Sequence, residues 1–278
     1  MMKYYGDYHI HTHFCPHGTK DTISTYIEKA ILLGLKEISF TEHAPLPEGF
    51  TDPTPNKDSA MRWADVEDYI RQIQQYKKEY QSDIKINLGF EVDYIEGFEQ
   101  ETRQFLNLFG VEIDDAILSV HMLKTPAQSY VCLDFSKEMF AEIIDEFGNV
   151  DKVYQKYYQT MEQAILSDLG TYKPIRLGHL TLIEKFKKRY KPKADYERTI
   201  TSLLSLIKER KMALDVNTAG LFKEDCESIY PSLHYVRLAE EKQIPLVPGS
   251  DSHTAEHLTR GFDHMPADIL YSRPTDRK

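Results

Sequence analysis

The sequence predicts an α/β fold, a distorted (βα)7 barrel of the TIM-like kind with an αα insertion after the fourth strand. Three observations predict it. Short apolar runs alternate with longer amphipathic patterns along nearly all of the 278 residues, which implies parallel strands joined by right-handed crossovers. The runs number seven, one short of a full eight-stranded barrel, so a doubly wound open sheet is the structural alternative. Residues of metal-binding type stand where the runs end, and a barrel carries its site at the carboxyl ends of its strands.

The strand runs cover residues 5–9, 37–41, 85–90, 116–120, 174–177, 213–216 and 245–247. Helical patterns fill 22–33, 64–80, 99–108, 195–211 and 232–242 between them. Gly34 stands where the first helix needs a C-cap, and Asp195 where the fourth needs an N-cap. The segment 44–62 carries Pro45, Pro47, Pro53 and Pro55, which continue neither a helix nor a central strand, so it reads as a loop overhanging the strand ends. The stretch 122–173 exceeds one βα unit and holds two helical patterns, 137–147 and 151–168, an αα insertion beside the site. One barrel domain is expected over 1–270, followed by a polar tail at 271–278 that frays from 272 onward.

Composition narrows the function. Lys and Arg number 34 against 44 Asp and Glu, a net charge of −10 that argues against a general nucleic-acid surface. Such a chain can still bind phosphate where metal ions invert the local field. Cys15, Cys132 and Cys226 are odd in number and far apart, which speaks against a disulfide framework and for a reducing cytoplasm. The amino terminus shows no apolar signal region, and no stretch reaches the roughly 18 apolar residues of a membrane span.

The chemistry is spread along the chain. In DYHIHTHFCPHG at 7–18, strand alternation would point Asp7, His9 and His11 together, while His17 follows a Pro16 turn and can swing back; His13 is assigned to solvent or the periphery. A zinc knot built on Cys15 would bring a second cysteine in C-x2-C spacing, and none is present. TEHAP places His43 after an apolar run, and GFEVDY does the same for Glu91, whose burial is costly unless it is paired or metal-bound. SVH and LGH repeat the pattern with His121 and His179, and GSDSH ends it with Asp251 and His253. No nucleophile elbow surrounds Ser250 or Ser252, which excludes a serine-hydrolase triad there. Singly, each histidine is more simply a core or loop residue. Jointly, seven of the eleven histidines and two carboxylates exceed the needs of one tetrahedral ion and suit a cluster of two or three that activates water. Mixed imidazole and carboxylate donors favour Zn, Fe or Mn over Ca or Mg.

These motifs, together with RLGH at 176–179, NTAGL at 217–221 and YPS at 230–232, resemble the polymerase-and-histidinol-phosphatase (PHP) family from Asp7 to about His264. NTAGL, YPS and the insertion after SVH are similar to its monofunctional histidinol-phosphatase branch. The resemblance implies a trinuclear centre of three divalent ions: one on His9, His11, Glu91 and Asp251; a second sharing Glu91 and adding His121 and His179; a third on His17, His43 and His253. It implies hydrolysis of the phosphomonoester L-histidinol phosphate to L-histidinol and phosphate, in histidine biosynthesis. Attack by a hydroxide bridging the first two ions, Glu91 as the bridge, and leaving-group protonation by Asp251 or His253 are the expected mechanism.

Arg176, Asn217 and Lys223 are the candidates for substrate binding, Arg176 because a guanidinium grips phosphate bidentately. Strand alternation would turn Arg176 away from His179, and a solvated lysine is the plainer account of Lys223 and of Lys124. The expected partner is a small phosphorylated substrate, without nucleic acid or membrane, and a homo-oligomer is compatible with this reading. A PHP phosphoesterase for nucleotides or nucleic-acid ends is the alternative; it would need a basic track and aromatic platforms. An amidohydrolase would not need His17, His43 and His253, and a metal-stabilised scaffold would lack ligands.

Overall fold

The computed structural model describes residues 4–274. In chain order it contains β1 (Gly6–Ile10), α1 (Ile23–Leu32), β2 (Glu37–His43), α2 (Val66–Glu79), β3 (Lys85–Asp93), α3 (Glu99–Phe109) and β4 (Asp115–Ser119). There follow β5 (Met122–Lys124), β6 (Tyr130–Cys132), α4 (Lys137–Phe147), α5 (Val150–Leu166) and β7 (Arg176–Leu177). The chain ends through α6 (Glu197–Glu209), β8 (Ala213–Asn217), α7 (Leu233–Glu241) and β9 (Leu246–Gly249).

The helices form where apolar residues recur at helical spacing. α1 buries Ile23, Tyr26, Ile27 and Ala30, and α6 buries Ile200, Leu203, Leu204 and Ile207, each an i, i+3, i+4, i+7 stripe. Thr22 caps α1 by accepting from Thr25 N at 3.2 Å. Gly34, at φ 73°, turns the chain out of α1 and donates to Ile31 O at 2.8 Å. The N-cap of α6 falls on Tyr196, one residue later than expected, and Asp195 supports the start of the helix from just outside, its Oδ1 accepting from Glu197 N at 2.9 Å.

β1, β2, β3, β4, β7, β8 and β9 pair in that order, every pair parallel. A bridge between Ile10 and Ser252 joins the two ends of the sheet, with His11 N donating to Ser252 O at 2.8 Å. The result is a nearly closed seven-stranded barrel, which sets aside the doubly wound sheet. At the seam Asp7 accepts from Ser250 N (3.0 Å), Ser250 Oγ (2.6 Å) and Thr259 N (2.9 Å). Asp7 therefore does not project with His9 and His11: a register shift between Asp7 and Ile10 breaks the strict alternation.

Three expectations change. β2 and β3 run on to His43 and Asp93, so His43 and Glu91 belong to strands, whereas β7 has only two residues. The insertion is not purely helical: it opens with an antiparallel hairpin, Met122 opposite Cys132 and Lys124 opposite Tyr130, before α4 and α5. Three-residue strands are too short for alternation to register in the sequence. The tail is packed as far as it is described, with Ser272 N donating to Leu246 O at 2.7 Å and Arg273 over the Tyr5 ring; residues 275–278 lie outside the described residues.

Candidate metal centre

Alternation in β3 sends Leu88, Phe90 and Val92 into the main apolar core, and Asn87, Glu91 and Asp93 to the other face. Glu91, 2% exposed, becomes the middle of the centre. Its Oε1 lies 2.8 Å from His179 Nε2 and 3.8 Å from His121 Nε2, and accepts from Ser119 Oγ at 2.6 Å. Its Oε2 lies 3.3 Å from His9 Nε2, 3.5 Å from His11 Nε2 and 3.2 Å from His43 Nδ1. One carboxylate thus turns each oxygen to a different set of imidazoles. Asp251 adds Oδ1 at 3.2 Å from His11 Nε2 and 3.7 Å from His9 Nε2. Its left-handed backbone, φ 54°, is tolerated by aspartate and sits at the turn just beyond β9.

Most of the rings are anchored from behind. His9 Nδ1–H donates to Asp215 Oδ2 at 2.9 Å, His11 Nδ1–H to Glu42 Oε1 at 3.2 Å, and His121 Nδ1–H to Asp93 Oδ1 at 2.6 Å. His17 Nδ1–H donates to Asp58 O at 2.8 Å and His253 Nδ1–H to Asp251 O at 3.2 Å. Each bond fixes the ring's orientation and leaves Nε2 as the inward-facing nitrogen, a metal donor once any proton on it is lost. The Nε2 atoms of His17 and His253 then face one another at 3.2 Å, two lone pairs that would repel without a cation between them. The Nε2 atoms of His9 and His11 are buried and make no hydrogen bond among the described residues. Three groupings bring ligand atoms within 4.8 Å of one another: His9, His11 and Asp251; Glu91, His121 and His179; and His11, Cys15, His43 and His253. Orphaned imidazole nitrogens around shared carboxylates are the donor set of a polynuclear site.

The electrostatics agree. Burial opposes the charge on Glu91, but His9, His121 and His43 outweigh it and hold the carboxyl well below its usual range. Asp251 is held down in the same way, against its burial, by His9 and His11. Burial and neighbouring His11 push His43 and His253 well below the ordinary imidazole value, so both are neutral and available as ligands.

All nine sequence candidates for metal binding are brought together. Of the substrate candidates, only Lys223 lines the adjoining cavity, about 460 Å3 in volume, where burial and neighbouring Lys185 press its pKa downward. Asn217 is buried behind the centre: Nδ2 donates to Asp251 Oδ2 at 3.1 Å and Oδ1 accepts from Ala219 N at 3.0 Å, so it orients a carboxylate and a loop instead of meeting the cavity. Arg176 is 2% exposed and lies beneath the floor, bonded to Asp115, Asp215 and Tyr8 O; it cannot reach a phosphate. The residue after it on the strand faces the helices, so Arg176 itself points into the barrel interior. Lys124 lies over the Tyr130 ring on the hairpin, away from the cavity lining. His13 is exposed, as expected.

Reading the sequence missed several participants. Glu42, Asp93 and Asp215 hold ligand rings; for Asp93 and Asp215 the available signal was a carboxylate flanked by apolar residues, as in Leu214–Asp215–Val216, whereas Glu42 between Thr41 and His43 gave none. Arg260, which stacks on Phe222 at 3.5 Å, and Asp134, paired with Lys185 at 2.9 Å, line the cavity from loops without any periodic signal.

A nearly closed parallel barrel whose strand ends gather imidazoles around one buried carboxylate belongs among the barrel metallohydrolases. The PHP domain matches residues 7–219. A histidinol-phosphatase of Bacillus subtilis (strain 168) is 48% identical over 259 residues, 92% of this chain and 96% of the relative. A crystal structure of a candidate histidinol phosphatase from Listeria monocytogenes superposes with a TM-score of 0.89 at 39% identity, covering 93% of this chain and 99% of that one. A histidinol phosphate phosphatase of Lactococcus lactis, solved with zinc, L-histidinol and phosphate, shares the fold at a TM-score of 0.64 and 22% identity, covering 90% and 86%. The chain belongs to the PHP-domain family.

Proposed function

We propose that this chain is a metal-dependent phosphomonoesterase that converts L-histidinol phosphate and water into L-histidinol and phosphate. The observation that carries the reaction class is Glu91, whose two oxygens face separate histidine sets in a cluster of nine donors. The substrate is supported by the 48% identical Bacillus subtilis relative, matched over 96% of its length.

We assign His9, His11, Glu91 and Asp251 to one ion, Glu91, His121 and His179 to a second, and His17, His43 and His253 to a third, with Zn, Fe or Mn as the metals. When bound, such ions supply Lewis acidity toward phosphoryl oxygens and lower the pKa of water. The chain supplies the rest. Ser119 holds Glu91 Oε1, and Asn217 holds Asp251 Oδ2, so neither carboxylate can rotate away. Lys223 and Arg260 on the cavity wall give cationic contacts for a phosphate dianion. At the floor Asp251, ionised and 19% exposed, and His253, neutral and 29% exposed, are placed to take the proton that the attacking water gives up and pass it to the departing alcohol oxygen. Three free thiols, all buried, support a place in the reducing cytoplasm. No helix among the described residues is long and apolar enough to cross a membrane.

Purified protein of measured metal content, assayed with L-histidinol phosphate beside a panel of nucleotides, tests this reading. A preference for histidinol phosphate in kcat/KM is expected; a nucleotide preferred by orders of magnitude overturns it.

A further inference from the structure

Arg176 is one of three residues that the sequence placed on the substrate, and the structure gives it other work. Its Nη2 donates to Tyr8 O at 2.8 Å, the carbonyl of the peptide that leads into His9. Its Nη1 donates to Asp215 Oδ1 at 3.2 Å, while Asp215 Oδ2 receives His9 Nδ1–H at 2.9 Å. One planar fork therefore grips both the backbone entering His9 and the carboxylate that orients its ring. Nη2 also donates to Asp115 Oδ2 at 2.6 Å, tying the fork to the neighbouring strand β4. The far side of His9 is closed: a Cβ added at Gly249 would lie 2.5 Å from His9 Cβ and 2.9 Å from Asp215 Oδ1. Asp215 is linked onward as well, through Asn217 Nδ2 at 3.4 Å, which in turn donates to Asp251 at 3.1 Å.

We infer that Arg176 is a positioning residue for the metal centre, holding Asp215 so that His9 presents Nε2 inward and so setting the affinity of the ion His9 holds. The inference rests on the metal assignment proposed above. A carboxylate with a single partner can rotate; pinned on one oxygen by a guanidinium it presents the other in a fixed direction. A guanidinium does this with two parallel arms, which the single ammonium of a lysine cannot reproduce. Partners that orient a ligand ring typically contribute about 10- to 100-fold in metal affinity.

The test compares Arg176→Lys, Asp215→Asn, their double variant and His9→Ala with the unaltered chain. Zinc affinity is measured by competition with a chromophoric chelator, and melting is followed for each metal-free protein. Arg176→Lys and Asp215→Asn should each weaken one zinc by about 10- to 100-fold and leave the others in place. The double variant should lose no more than the worse single, because both act through one ring. Unaltered zinc affinity in Arg176→Lys beside a lost zinc in His9→Ala overturns the inference, as do losses that add. Should Arg176→Lys fail to fold, Asp215→Asn decides alone, and unaltered affinity there overturns it equally. Full zinc retention in His9→Ala defeats the metal assignment instead, which keeps the two failures apart.

Discussion

Glu91 is the residue on which the rest of the centre depends, since one of its oxygens faces His121 and His179 and the other faces His9, His11 and His43. Glu91→Gln keeps the shape and removes the charge; activity should fall by about 100-fold or more and bound metal should fall with it, measured by elemental analysis. Full activity with intact metal would refute the bridging role. The imidazoles also predict proton release. Burial works against a charged His121, but Asp93 and Glu91 outweigh it and raise it to about 10; against the same penalty, Asp251 and Glu42 raise His11 to about 9. Both pKa values are raised, so at pH 7.5 the metal-free protein holds these protons, and zinc must displace them. Calorimetry in buffers of different ionisation enthalpy should record at least two protons released per loaded centre, and metal affinity should rise with pH up to about 9 to 10. The nine candidate donors were legible in the sequence because they close or follow apolar runs, apart from His17, which follows the Pro16 turn. Arg176 was misread because a strand-end arginine beside LGH has the right chemistry for phosphate, and only packing shows which way it points.

Among the elements, the proline-rich loop 44–62 controls one part of the centre. Asp52 organises it, accepting from Thr54 N at 2.8 Å, Ser59 N at 3.0 Å and Ser59 Oγ at 2.7 Å. The loop in turn presents Asp58 O to His17. Asp52→Ala leaves these donors without their acceptor, and should cost about 1–3 kcal/mol in thermal unfolding and reduce occupancy of the ion assigned to His17. Unchanged metal content would separate the loop from the centre. Its overhang was readable from four prolines, but its grip on His17 runs through a main-chain carbonyl, which no side-chain pattern encodes. The same limit hid the β5–β6 hairpin, whose strands are held by pairing between backbones. Gly249→Ala tests the opposite wall: the added Cβ meets His9 and Asp215, so repacking should cost about 1–3 kcal/mol and displace the His9 ring. Melting and zinc binding should both fall.

At the scale of the whole molecule, the proposed ligands lie between residues 9 and 253 and come from both ends of a sheet closed by one bridge, Ile10 to Ser252. Ions that bind the folded chain alone stabilise it by mass action, about 2.7 kcal/mol for each site held at 100 times its Kd. Chelation should therefore lower the melting temperature, and zinc added back should restore it; a melting curve indifferent to chelator would contradict a centre that ties the barrel together.

Strand and helix alternation, the count of seven barrel strands and the set of metal-type residues could all be read along the chain, because periodicity and run ends are local properties. Tertiary structure decided what local pattern cannot carry: that the sheet closes on itself, that Glu91 divides its oxygens between histidine sets, and that Asp215, Asp93 and Glu42 stand behind the rings. It also moved Arg176 from the cavity to the floor beneath it. Each of these depends on contacts between residues tens to hundreds of positions apart, set by strand register and by the depth at which a side chain meets the barrel interior.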